Sequence, residues 1–139
     1  MKVIRDDLER LIRRDYHPDY WADDVAGRAA ELVAKLEPAD WTWLGETWPS
    51  WPPGHQRQLA DALAGSGPAG WPILTAMLRS ADAGVAMQAA EALQPDPAWP
   101  GDASLEPDLR RLRDVVEPEL ADIPEDLIRR GRTGGRATP

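Results

Sequence analysis

Carboxylates and aromatic rings are the side chains through which this sequence could do chemistry, and they are densest in one stretch, DYHPDYWADD. There Asp15, Asp19, Asp23 and Asp24 surround Tyr16, Tyr20 and Trp21. Aromatic side chains dominate binding hot spots, and negative charge steers a basic partner toward an encounter. The segment therefore reads as a recognition surface for a basic protein. It also reads as a helix start, with acids near the positive end of the helix and Trp21 in the core. The acids lack the spacing of an EF-hand, so calcium is not expected.

No catalytic grouping is legible. The two histidines, His17 and His55, lie far apart, one before Pro18 in a turn and one in the first turn of a helix. Neither has metal-ligand spacing around it or a nucleophile beside it, and both are expected at the surface. Cysteine is absent, which excludes disulfides, thiolate zinc sites and thiol nucleophiles. GSGPAG and GRTGG are glycine-rich but lack the Lys-Ser/Thr ending and the preceding strand of a phosphate loop. No catalytic residue, cofactor or metal is expected.

The seven tryptophans take the place of phenylalanine, which is absent, as large core fillers. Trp41, Leu44 and Trp48 share one helix face, whereas Trp43 and Thr47 lie on another. Trp41, Trp48 and Trp71 are thus expected in the core. Trp43 and Trp51 are the candidates for exposure and partner contact. The partner-binding set is Asp15, Tyr16, Asp19, Tyr20, Asp23, Asp24, Trp43 and Trp51. Arg129, Arg130, Arg132 and Arg136 make a basic end that reads as part of a solvated tail.

The elements that must position these residues are helical throughout, since alternating β-branched strand patterns are missing. A first helix is expected from about Asp6 to Asp15, with Leu8, Leu11 and Ile12 at helical spacing. A second is expected from about Asp19 to Leu36, with Trp21, Val25, Ala29, Leu32, Val33 and Leu36 on one stripe. Pro38 stops it. Trp41–Trp48 and Pro53–Ala64 form one helix pair around the turn WPSWPPG. Trp71–Ser80 and Gly84–Leu93 form another. The proline-rich QPDPAWPGD interrupts the chain, Ser104 caps the next helix, and a short last helix closes at Gly131.

Residues 41–63 align without a gap to residues 71–93, an offset of thirty. Trp41 matches Trp71, Leu44 Leu74, Ser50 Ser80, Gly54 Gly84, Gln58 Gln88, Ala60 Ala90, Ala62 Ala92 and Leu63 Leu93. Asp61 and Glu91 correspond in charge. Fixed-period self-similarity signals stacked supersecondary units. The second unit, WPILTAMLRSADAGVAMQAAEALQ, resembles a HEAT-type repeat, with Asp82, Val85, Ala89, Ala90, Ala92 and Leu93 at the matching positions of the trailing helix. The first unit is similar to segments of small bacterial HEAT-like proteins. The resemblance covers about residues 38–95 and extends weakly to the N-terminal helix pair. It implies an all-α, short α-solenoid of stacked antiparallel helix pairs, about seven or eight helices. The period is shorter than the roughly 40–47 residues of HEAT units, and Ala86 replaces a basic residue, so a compact helical bundle with one duplication stays open.

At 139 residues the chain is the size of one domain, expected over 1–130 with a flexible tail at 131–139. The net charge of −8 disfavours nucleic acid and suits a basic partner. The residue skew resembles that of a GC-rich bacterial genome. No signal-peptide or membrane-span pattern is present, so a cytoplasmic location is expected. The first functional expectation is a non-enzymatic protein-binding module. Through the resemblance, it is an immunity-type protein that neutralises a basic toxin. The alternatives are a HEAT-like DNA-repair glycosylase and a scaffold or regulatory subunit of a bacterial complex.

Overall fold

Proline supplies much of the local instruction. Pro18, Pro38, Pro53, Pro72 and Pro107 each occupy the first turn of a helix, where the missing N–H costs nothing and the fixed φ is already helical. In a computed structural model, which describes residues 3–134, these starts give eight helices and no strand among the described residues. They are α1 (Val3–Ile12), α2 (residues 18–33), α3 (Pro38–Thr47), α4 (Pro53–Leu63), α5 (Trp71–Met77), α6 (Ala83–Leu93), α7 (Glu106–Val115) and α8 (Asp122–Gly134). Short 3₁₀ turns at Trp48–Ser50, Gly67–Ala69, Ala103–Leu105 and Pro118–Leu120 join or lead into them.

The duplication survives in the boundaries of its trailing helices, whereas the leading helices start at Pro38 and Trp71 and do not match. α4 and α6 are both 11 residues long, and their ends lie thirty positions apart. Their buried positions coincide as well: Leu59 with Ala89, Ala60 with Ala90, Ala62 with Ala92, and Leu63 with Leu93. The same offset runs back into α2, where Ala29 and Val33 are buried. Alanine at these positions lets helices approach closely, and α4 packs against α2 on one side and α6 on the other. α6 in turn packs against α8. α1, α5 and α7 each lie against the helix that follows them. One continuous cluster of apolar side chains runs from Leu8 to Ile128 through all of these contacts.

α3 is held differently: the expected pairing of α3 with α4 is at most a weak contact. Leu44 is buried, but Asp40 is a buried carboxylate. Its Oδ2 accepts from the Glu37 N–H as part of a capping box, and its Oδ1 accepts from Arg5 Nε at 3.2 Å. A buried carboxylate needs such partners. They tie the start of α3 to α1.

Several boundaries differ from expectation. α1 begins at Val3 and ends at Ile12 rather than spanning Asp6 to Asp15. The cap before α7 is Asp102, whose carboxylate accepts from the Ser104 N–H and hydroxyl; Ser104 is the residue being capped. The last helix is not short and does not close at Gly131. It continues to Gly134 because Gly131 is buried against the Asp102 backbone. The expected tail thus starts no earlier than residue 135, and 135–139 lie outside the described residues. Among the described residues no helix is long and apolar enough to cross a membrane.

Candidate functional site

A groove opens where the α1–α2 connection crosses the row of α4 and α6. It has a volume of about 610 Å³ and is lined by Asp15, Tyr16, Trp21, Arg57, Gln58, Asp61 and Gln88, among others. Three helices and one loop therefore contribute to one surface.

Its shape begins with a local irregularity. α2 consists of Pro18–Tyr20, a π turn at Trp21–Val25, and Ala26–Val33. A π turn inserts an extra residue, and such turns are frequent at functional sites. His17 caps the helix: its Nδ1 accepts from the Asp19 N–H at 3.2 Å. Trp21, buried, then donates from Nε1 to Asp61 Oδ2 at 2.8 Å. That bond joins α2 to the last turn of α4. Gln88 Nε2 donates to the other oxygen of Asp61 at 3.4 Å, bringing in α6. Gln58 Nε2 donates to the carbonyls of Ile12 and Arg14, at 2.6 and 2.9 Å, and so fixes the loop after α1 to α4.

Asp15 stands at the rim. Its side chain is 99% exposed, yet its Oδ1 lies 2.8 Å from His55 Nε2, a ring only 13% exposed. The expectation that both histidines sit at the surface therefore fails for His55, which is packed beneath the loop with its Nδ1 unpartnered. Tyr16 donates its hydroxyl to the Leu11 carbonyl at 2.7 Å. Its ring stacks on Tyr20 at 6.0 Å and tilts against Trp21 at 5.7 Å.

Electrostatically the groove is mixed, with Asp15 and Asp61 against Arg57. Burial, then the nearby Asp61 carboxylate, pushes Glu91 above the ordinary glutamate range. Asp61 and Glu91 occupy equivalent positions in the two repeats, and Glu31 stands one further offset back in α2. Arg57 is the groove's cation. It is exposed, lies over Gly54 and Gly84, and has no carboxylate within 4.0 Å among the described residues.

The expected partner-binding residues divide accordingly. Asp15 and Tyr16 line the groove, and Tyr20 joins them through the stack. Asp19, Asp23 and Asp24 are exposed but do not line it. Trp43 is half-buried on the α1–α3 side, beneath the Arg5 guanidinium at 5.0 Å. Trp51 corrects the expectation of exposure. It is 3% exposed, with Arg13 over its ring at 5.5 Å, because the WPSWPPG turn folds inward and Gln56 pins it by donating to the Trp51 carbonyl at 2.9 Å.

The residues missed by sequence reading are Trp21 as a donor, Arg57, Gln58, Asp61 and Gln88. One signal for them existed. Gln58 and Gln88 are identical, and Asp61 and Glu91 alike in charge, between two helices whose other matched positions are glycine, alanine or leucine. Comparison with protein-family models, curated proteins and solved structures returns no significant match.

Proposed function

We propose that the chain is a non-enzymatic protein-binding module, and that the groove between the α1–α2 connection and the α4–α6 face is its contact surface. The observation that carries this reading is the convergence of Asp15, Tyr16, Asp61 and Gln88 in one open groove, from a loop and two repeat-related helices. Aromatic surface gives a partner contact area, and the carboxylates give it a sign. The contacts along α2, α4, α6 and α8, with α1, α5 and α7 each against the helix that follows it, support a reading as a short HEAT-like α-solenoid, an architecture suited to extended binding surfaces.

Within this class, the net charge of −8 suits a basic protein partner. An immunity-type role, neutralising a basic toxin, is the specific form of the proposal. Co-expression with the product of the adjacent reading frame, followed by size-exclusion chromatography with light scattering, is expected to give a one-to-one complex. The chain is also expected to protect cells from that product. Neither complex nor protection would overturn the assignment.

A further inference from the structure

The molecule repeatedly places an arginine over an aromatic ring. Arg5 lies 5.0 Å from the Trp43 centroid, Arg13 5.5 Å from Trp51, and Arg130 5.9 Å from Trp99. In the first case a carboxylate completes the set, since Arg5 also pairs with Asp40 at 3.2 Å. Ring, guanidinium and carboxylate together satisfy a planar cation on its face and at its edge.

The groove presents the same two receptors, and among the described residues no arginine lies over the Tyr16 ring or pairs with Asp15. Tyr16 offers a ring, its orientation fixed by its hydroxyl bond to Leu11 and by the stack on Tyr20. Asp15 offers a carboxylate that is 99% exposed and is anchored only at one oxygen by His55. Asp61 supplies a second, half-buried carboxylate farther in. The space is about 610 Å³, ample for one long side chain and the backbone on either side of it. We infer that the groove is a subsite for an arginine side chain of the partner, its guanidinium on the Tyr16 face and paired with Asp15. This rests on the protein-binding reading above and specifies what the partner inserts.

Arg57 sharpens the inference because it opposes it. It lines the same groove and lies against α6 at Gly84. A guest cation must therefore sit toward the Asp15–Tyr16 end. Removing the Arg57 charge must help binding, while removing the Asp15 or Asp61 charge must hurt it.

The test is an NMR titration of the ¹⁵N-labelled full chain with acetyl-Gly-Arg-Gly-amide. The citrulline peptide, which has the same shape without the charge, is the control. The reporters are the Trp21 indole N–H and the Gln88 side-chain amide, both bonded to Asp61. Saturable shifts at these two groups are expected, with about a tenfold preference for arginine over citrulline, the combined worth of an exposed cation–π contact and an exposed ion pair. Asp15→Asn and Asp61→Asn are expected to weaken binding several-fold and Arg57→Gln to tighten it. Asp61→Asn keeps an acceptor for Trp21, so the fold is expected to be retained. Equal response to citrulline, or the same affinity in all three variants, would overturn the subsite. A co-expressed partner that binds while the peptide does not removes the arginine subsite and leaves the module. Groove saturation without any partner complex removes the partner assignment and leaves the subsite.

Discussion

Single carboxylates in this protein are tuned in opposite directions by their neighbours. Glu91 is raised by burial and by Asp61, so the folded state holds its proton more tightly than the unfolded chain does. Its contribution to stability is present in acid and is lost as pH rises through the folded value. Asp102 is lowered, chiefly because the Ser104 hydroxyl donates to it. Its contribution is present above the ordinary aspartate range and is lost as pH falls through the folded value. Glu91→Gln removes a charge that folding disfavours. It is expected to raise the urea midpoint at pH 7, and the gain is expected to vanish below the free glutamate range, about pH 4. Asp102→Asn is expected to lower the midpoint at pH 7, with that loss fading in acid. A Glu91→Gln gain of the same size at both pH values would show that packing, not charge, is responsible.

Elements end where a named group satisfies them, and the clearest instance is the C-terminus of α6. The last carbonyls of a helix have no partner within it. Arg130 of α8 reaches them: Nη1 donates to Leu93 and Asp96, at 3.2 and 3.0 Å, and Nη2 to Gln94 at 3.0 Å. A cation there also complements the negative end of the helix dipole. Arg130→Met keeps the aliphatic stem and removes the donors. It is expected to cost about 2 kcal/mol in a urea melt, the worth of a charged hydrogen-bond group left without replacement. This role was illegible in sequence, where Arg130 belonged to a run of arginines next to a glycine-rich end. Periodicity reveals which residues of a helix face inward, so the stripes of α1, α2, α4 and α6 and the offset of thirty could be read directly. It does not reveal what a side chain 36 residues away will cap. The same limit hid the groove. The π turn at Trp21–Val25 departs from 3.6-residue spacing, and the Trp21–Asp61 bond spans 40 residues. Trp51 was misplaced because proline density in WPSWPPG signals a turn without saying which way the turn faces.

At the scale of the whole molecule, the chain is closed at its C-terminal end by a helix that its own composition disguises. Gly131, Thr133 and Gly134 are poor helix formers, yet α8 continues through them. The reason is steric. The connection after Trp99 passes so close to α8 that only glycine fits on both sides. A Cβ at Gly101, whose φ is +82°, would stand 2.6 Å from the Gly131 nitrogen, and one at Gly131 would stand 3.0 Å from the Asp102 carbonyl oxygen. Glycine is thus retained for backbone approach, at a cost in helix propensity. α8 also sends Arg132 to Glu106, with both nitrogen–oxygen distances 2.8 Å, and so joins the end of α8 to the start of α7. Two truncations measure what residues 131–134 contribute. A chain ending after Gly134 retains these contacts and serves as the reference. A chain ending after Arg130 loses the Gly131 backbone contact and the Arg132–Glu106 pair, and uncovers the Asp102 backbone. It is expected to lose about 1–3 kcal/mol, the range for deleting a packed helix end and its polar partners. Its amide exchange is expected to rise first in α8 and in residues 99–105, because local opening begins where the fewest contacts remain. Equal melting of the two truncations would mean that residues 131–134 do not close the fold.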